Sequence, residues 1–529
     1  MAAFSLFHRP TIESKIAAIS SPVVAQALLA SIFSLSRRFQ DSLGHQCPAH
    51  YPTSEYLRTL SERLVEKALQ ECMDEEPPIA LLQALSLVTF QQLIYGVRGR
   101  AWRSLGTCVR LAYELQLHLV DKGPPSTSRQ PLNESSDEEK RRLWWTIWEF
   151  DVFASTIRRL PTAIDWSQND TWLPIDDDLW FSNSCARSCT LDPDPSVAWK
   201  KLQSTGSQCA KAWFIVVNAV MRSAHVLAYP QAYSVRHAQT KFDLESDSPA
   251  ETNILANSLY CVSTALPANL VYHGEHLNFC AESLQIDAAK HSIHIMSSLT
   301  RFMVSHRQVF DNTSRLLGPA TATPALQQPA WNHYITASSE IVTLIRNCAP
   351  RHVAHVNPFL TSTIWLAAAA QVVYKIVSPQ ADDLRLAESN LDLLRCNLSA
   401  FNNLWGVPAT FLQKLNGLQT TLKEAMNTES SESSGRQMTQ AVSLRPNQEF
   451  DGVEYNIQPH AASRFAPVDT GGPNFMDASG SLNLWPLQAT GNIPMDFYPG
   501  SDLWGWGIDE LLSYGMGAHE QHRNHTHQV

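Results

Sequence analysis

Residues 135–178, SSDEEKRRLWWTIWEFDVFASTIRRLPTAIDWSQNDTWLPIDDD, constrain the fold more than any other stretch of the chain. Leu143, Ile147, Phe150, Ala154 and Ile157 recur every three or four residues, with Trp144 and Trp148 one position along. That period belongs to a single helix with a broad apolar face turned inward. Ser136 followed by Glu139 predicts a capping box at its start, and Glu138 and Glu139 suit the positive end of the helix dipole. Pro161 closes the helix. Asp151 falls on the apolar side, four residues after Ile147. A carboxylate buried there needs a partner, and Arg158 and Arg159 are the local candidates. The LPIDDD segment that follows reads as an acidic loop.

The same period recurs along most of the chain. It predicts helices over 56–72, 79–96, 101–118, 210–229, 250–270, 284–310, 331–348, 359–377, 381–405 and 409–427, after an N-terminal helix that begins near Pro10 and a second over SPVVAQALLASIFSLSRRF. Leu81, Leu82, Leu85, Val88 and Leu93 suit a helix buried on more than one side. In 101–118, Leu105, Cys108, Val109, Ala112, Leu115 and Leu119 form one stripe, and Arg103, Thr107, Arg110 and Glu114 the opposite one. NSCARSCTLDPDP reads as an excursion between helices. Prolines mark the connectors, and no β-hairpin signal of any strength occurs, so the fold class is all-α, a multi-helix body. The apolar run FLTSTIWLAAAAQVVYKIV is interrupted by Thr361, Ser362, Thr363, Gln371 and Lys375. It reads as a buried helix rather than a membrane span.

Composition divides the chain at about residue 427. The helical body is taken as residues 1–426 and the tail as 427–529. The tail holds twelve Asp or Glu against four Arg and no Lys, a net of −8 out of −10 for the whole chain, together with eleven of the 21 glycines. Such a segment is expected to be largely disordered. It also places Trp485, Phe497, Tyr498, Trp504, Trp506, Ile508, Leu511 and Leu512 among Asp496, Asp502, Asp509 and Glu510. Acidic residues keep bulky apolar ones solvated, which is the composition of an activation segment that folds on a partner groove. Docking of the tail on its own helical body is the competing reading. The body is then close to neutral, and neither part offers the basic face that direct DNA binding requires.

A search for chemistry assigns no catalytic, cofactor or metal residues. G-x-S-x-G, G-x4-G-K-[ST], G-x-G-x-x-G and H-E-x-x-H are all missing from the sequence. Of ten cysteines only Cys185 and Cys189 are close, and a lone C-x3-C pair reads as two ordinary thiols. HGEH at His273–His276 and HEQH at His519–His522 have the wrong spacing for a helical zinc pair. His519, His522, His525 and His527 read as a frayed polar end. Asp176–Asp178 fails the Asp-Asp-x-x-Asp pattern of helical cyclases because Trp180 and Phe181 stand where the last carboxylate should be. Arg98, Arg100 and Arg103 read equally as a phosphate contact or as a solvated helix start.

Three features in 135–178 carry a family resemblance. They are Glu-x-x-Arg-Arg-x-Trp-Trp at Glu138–Trp145, the Asp151/Ser155 pair, and the series Pro161, Leu173-Pro174, Asp176–Asp178. With the entry FSLFHRPT and the run Arg110, Ala112, Glu114, Leu115, Leu117, His118, the chain resembles the middle homology domain of fungal binuclear zinc-cluster transcription factors. The likeness covers about 4–405. It departs from the family pattern at Val152, which follows Asp151, and at Arg159-Leu160 before Pro161. The family's six-cysteine cluster, C-x2-C-x6-C twice over, occurs nowhere in the 529 residues. The resemblance implies a nuclear transcription regulator of a metabolic or secondary-metabolite gene set. Such a regulator would act at promoters through a DNA-binding partner protein or a module outside this chain, with the acidic tail contacting the transcription machinery. No membrane association is expected, and homo-oligomerisation is compatible with it. The reading from another class is a helical metabolic enzyme with an unrecognised site.

Overall fold

The computed structural model describes residues 5–42, 51–123, 131–184, 186–229, 248–310, 329–377 and 381–424. The helices are α1 (Ile12–Ala17), α2 (Pro22–Ser42), α3 (Ser54–Cys72), α4 (Ile79–Ile94), α5 (Gly99–Glu114), α6 (Pro131–Arg158) and α7 (Asp177–Phe181). After them come α8 (Pro195–Ser204), α9 (Ala210–Ala228), α10 (Ser248–Ala265), α11 (Leu284–Phe310), α12 (Pro329–Arg346), α13 (Thr361–Val377), α14 (Ala381–Trp405) and α15 (410–424). Among the described residues, β pairing is confined to two isolated bridges, Trp172 with Thr190 and Leu277 with Cys348. The protein is all-α.

The packing follows from which helices are apolar all round. In α4 thirteen of sixteen residues are buried, and in α9 fifteen of nineteen, so neither has a free face to give to solvent. α6 is the third interior helix, with Leu143, Trp144, Trp145, Ile147, Trp148, Phe150, Val152 and Ala154 all buried. α4 packs against α2, α3, α5 and α6; α6 meets α9; and α9 runs along α11, which begins the series α11, α12, α13, α14. α4, α6 and α9 thus join an N-terminal group of helices to a C-terminal one. Aromatic rings fill the junction. Phe153 stacks on Phe359 with centroids 4.0 Å apart, and Phe90 lies 5.8 Å from Phe150 and 5.3 Å from Phe359.

The apolar stretch around α13 is an interior helix: 78% of Pro358–Ile376 is buried. Four of its five polar interruptions find partners: Thr361 donates to the Pro358 carbonyl at 2.6 Å, Ser362 to the Phe359 carbonyl at 2.9 Å, Lys375 to Glu388 at 2.7 Å, and Gln371 to Ser338 at 2.8 Å, while the buried Thr363 hydroxyl has none. Ser338 of α12 donates to the Ala367 carbonyl at 2.9 Å, and Trp365 donates to the Phe411 carbonyl at 2.9 Å.

The chain closes on itself at Arg38. This guanidinium donates to the Trp405 carbonyl at 2.8 Å and to the Tyr95 hydroxyl at 3.0 Å, so the ends of α2, α4 and α14 meet. Gly406, at φ +68°, turns the chain there, and a Cβ on it would lie 2.6 Å from the Tyr95 ring.

Several boundaries differ from expectation. The 101–118 helix stops at Glu114, because Gln116 adopts φ +53° and sends Leu117–Leu119 into a 3-10 turn. Residues 186–191 do not run free: Leu173 N donates to the Cys189 carbonyl at 2.7 Å and Ser188 Oγ to the Leu173 carbonyl at 2.5 Å. α8 was not expected from the sequence. Asp194 caps it through Ser196 N at 2.9 Å, and Pro195 starts it. The tail beyond 424 lies outside the described residues.

Two outcomes follow. Gly406→Ala combines a left-handed backbone with a clash and is expected to cost about 1–2 kcal/mol or more, read by chemical denaturation. Burial lowers His225 well below the ordinary histidine value and brings His294 down to about 4. Unfolded, both titrate near about 6.5, so below that pH the unfolded chain binds more protons than the folded one. The stability is complete above about pH 6.5 and is lost as the pH falls toward the folded values, by up to about 1.4 kcal/mol per pH unit per histidine. A melting midpoint that falls between about pH 7 and about pH 5 is the expected result.

Candidate functional site

The Glu-x-x-Arg-Arg motif builds a buried ionic cluster on α6. Positions three and four apart lie on one helix face, so Glu138 reaches both arginines: Arg142 Nε donates to it at 2.8 Å and Arg141 at 3.3 Å. Arg141 makes a bidentate pair with Asp121, at 2.8 and 2.5 Å. Arg142 also donates to Asp177, to the Ser5 carbonyl at 2.9 Å and to the Ile175 carbonyl at 2.6 Å, while stacking over Trp180 at 4.1 Å. Ile175 N returns a bond to Glu138 at 3.0 Å. One helical turn therefore holds down the N-terminal segment, the turn after α5 and the LPIDDD loop.

Glu139 corrects the expected capping box. α6 begins at Pro131, which puts Ser136 and Glu139 inside the helix. Glu139 is buried instead and accepts from Lys15 of α1 and from Gln83 of α4 at 3.0 Å. The acidic loop has structure as well. Asp176 caps α7 through Asp178 N at 3.0 Å, and Asp177 accepts from Ser5 Oγ at 2.6 Å.

Asp151 is buried as expected, but Arg158 and Arg159 do not pair with it. Its carboxylate accepts from Ile164 N at 2.8 Å, Ala163 N at 3.1 Å and Ser155 Oγ at 3.2 Å. Burial pushes its pKa up, and the two amides, Ser155 and the charge of Arg222 oppose that shift. The local geometry explains the change. Arg159 takes φ +52° and Leu160 N donates to the Ser155 carbonyl at 2.9 Å, a Schellman end that swings 162–164 back over the carboxylate. Arg158 then donates to the Val97 carbonyl at 3.4 Å, and Arg159 lies over the Tyr229 ring. Arg222 comes from α9 and binds the Leu160 carbonyl at 2.6 Å.

Beside the cluster is a cavity of about 120 Å³ lined by Ser5, Leu6, Phe90, Arg142, Glu149, Lys211 and Trp405 among others. Each of its three charged groups is paired: Arg142 as above, and Lys211 with Glu149, which also accepts from Asn357 at 2.7 Å. Ligand sites usually span roughly 300–1,000 Å³, so this space suits a fragment or a few waters. A second cavity, about 450 Å³, is lined by Tyr272, Lys290, His294, Arg301 and Glu340. There Lys290 pairs with Glu275 and Arg301 with Glu340.

The other residues noted in the sequence remain apart. Arg100 pairs with Glu62 at 2.9 Å, and Arg98 and Arg103 are exposed at the start of α5. Glu275 of HGEH binds His273 N and Lys290. Cys189 is half-buried and its thiol is pushed up to about 11 by burial, whereas Cys185 and His519–His527 fall outside the described residues. Sequence reasoning missed Asp121, Lys211 and Asn357, whose roles depend on partners 20, 62 and 208 residues away.

Residues 2–283 match the family model described as the fungal specific transcription factor domain. That is more than half of the chain, and the chain belongs to this family. Among curated proteins, "Transcription factor tazR" of Aspergillus terreus is 30% identical over 111 residues, which cover 21% of this chain and 17% of that protein. "Regulatory protein CAT8" of Saccharomyces cerevisiae is 35% identical over 104 residues, 18% of this chain and 7% of that protein. A transcriptional regulatory protein of Schizosaccharomyces pombe is 28% identical over 112 residues, 21% of this chain and 18% of that protein. The matched stretches thus span less than a fifth of each relative's own length. No solved structure matches the chain.

Replacing one member of the α6 cluster strands buried charge. Arg142→Met leaves Glu138 and Asp177 without their shared cation and is expected to cost about 3–5 kcal/mol, measured by urea denaturation. The exposed pair Arg385–Asp382 is the control, and Arg385→Met should change stability by no more than about 1 kcal/mol.

Proposed function

We propose that this chain is a transcription regulator acting in the nucleus, in which the helical body (residues 1–426) is the regulatory domain and residues 427–529 form an activation segment. The observation that carries the reading is the family match over 2–283. The printed names of the three relatives agree with it. The family is one of transcription factors, which favours a non-enzymatic role, and the paired charges of the α6 cluster suit a structural part rather than a general acid or base. Access to promoters comes through a DNA-binding partner protein or through a module outside this chain, since the six-cysteine spacing is missing from the sequence. The tail supplies the contact with the transcription machinery, its apolar residues seated in a partner groove and its carboxylates left in solvent. The genes governed are those of a metabolic or secondary-metabolite pathway.

Deletion of the gene, read by genome-wide transcript levels, is expected to move one co-ordinated gene set. Transcripts that hold steady while a single metabolite disappears would instead indicate an enzyme. The tail is tested separately: fused to an unrelated DNA-binding module, 427–529 should activate a reporter. Trp504→Ala with Trp506→Ala should cut that output several-fold, and unchanged output would remove the activation role.

A further inference from the structure

Beyond the family-matched residues, four segments far apart in sequence converge on one point. His291 is on α11, Cys348 lies two residues past α12, His352 opens a 3-10 turn, and Asn397 is on α14. The donor atoms of His291, Cys348 and His352 all lie within 4.8 Å of one another, and the residues are 0%, 7% and 4% exposed.

Two side chains at this point carry buried polar atoms with no hydrogen bond. Neither ring nitrogen of His291 is hydrogen-bonded, and neither is Asn397 Oδ1. An imidazole with both nitrogens bare in a dry interior is costly, so the site calls for a group that it can hold. His352 is already oriented for such a role. Its Nδ1 lies 2.8 Å from the Ala349 carbonyl, and an Nδ1–H donating there makes Nε2 the lone-pair nitrogen, which accepts from Asn397 in this structure and would ligate once that amide moves aside, as in metal-bound histidines whose second nitrogen is fixed by a carbonyl. Asn397 Nδ2 sits 2.9 Å from Nε2, and a half-turn of that amide presents Oδ1 in its place. The backbone around Cys348 is held as well: Leu277 N donates to the Asn347 carbonyl at 2.8 Å and Ala349 N to the Leu277 carbonyl at 2.9 Å.

We propose that His291, Cys348 and His352 bind one divalent transition-metal ion, with Asn397 Oδ1 or a water in the fourth position. One thiolate and two imidazoles with an oxygen in the fourth position suit zinc, and the same donor set also serves copper. Zinc binds nitrogen at about 2.0–2.1 Å and thiolate at about 2.3 Å, so the donors draw together by roughly an ångström on binding, within the reach of side-chain rotation. The cysteine proton leaves to solvent when the ion enters. The bound ion pins α11, the end of α12, the 352–354 turn and α14 together, a structural clip on the C-terminal group of helices. Its donor set differs from the all-cysteine cluster of the family, and it stands or falls independently of the regulatory reading.

The full chain is stripped with chelator and titrated with Co²⁺. One equivalent is expected to produce a near-ultraviolet cobalt–thiolate charge-transfer band with the strong visible bands of tetrahedral cobalt. Zn²⁺ should then bleach those bands and raise the melting temperature. Cys348→Ala and His291→Ala should abolish the charge-transfer band, while Cys396→Ala, at an exposed thiol, should keep it. The histidines near the C-terminus contribute no thiolate and so give no such band. A wild-type chain without the band, a band that survives Cys348→Ala, or octahedral cobalt alone overturns the proposal, a buried water then being the occupant. If circular dichroism shows the variants unfolded, the wild type decides. Zn²⁺ should slow alkylation of Cys348 in mild denaturant, and equal rates with and without it reject the site.

Discussion

Two arginine charges buried within one turn of α6 set the terms for the rest of the N-terminal group. A guanidinium withdrawn from water is tolerated only when carboxylates and carbonyls surround it, and Arg141 and Arg142 obtain theirs from five residues: Glu138 on the same helix, Asp121, Asp177 and the carbonyls of Ser5 and Ile175. The aromatic residues of α6 draw the surrounding helices in without direction. The ionic cluster adds direction to that burial, because Arg142 bonds the Ser5 carbonyl of the entry segment and the Ile175 carbonyl and Asp177 carboxylate of the LPIDDD loop at once.

The family motif thereby acquires a physical meaning. Its charged residues are buried and tie chain segments together beneath the surface. Asp151 works in the same way at the other end of α6, where its carboxylate holds the returning loop through the Ala163 and Ile164 amides and is itself steadied by Ser155 of the same helix. Arg222 completes that end from α9, which suits a chain with Val152 and Leu160 at the positions where the family pattern departs. The helix is thus anchored at both ends, and the aromatic contacts among Phe90, Phe150, Phe153 and Phe359 lie between those anchors.

A body of this kind fits a regulatory role. Its cores are continuous from α4 through α6 and α9 to α11, so a change at one face is felt by close-packed neighbours. The tail differs in composition, setting large apolar residues such as Trp504 and Trp506 among Asp502, Asp509 and Glu510. The proposed metal clip at His291, Cys348 and His352 would strengthen the C-terminal group, where the ionic ties of the α6 cluster do not reach.

Periodicity alone located α11 and α14 to the residue and marked α4 as buried on more than one side, because apolar spacing is a local property that tertiary structure only ratifies. The all-α class was legible for the same reason. Three kinds of feature were not. Helix ends at Glu114 and Arg158 depend on left-handed residues, Gln116 and Arg159, whose side chains carry no glycine-like signal. The start of α6 at Pro131 moved Glu139 from a cap to a tertiary partner. The companions of Arg141, Glu149 and Asp151, namely Asp121, Lys211 and Arg222, are set by which helices come to lie side by side. The sequence determined where helices form and which faces they bury. The tertiary structure decided which charges meet, since burial makes pairing obligatory while chain distance says nothing about the partner.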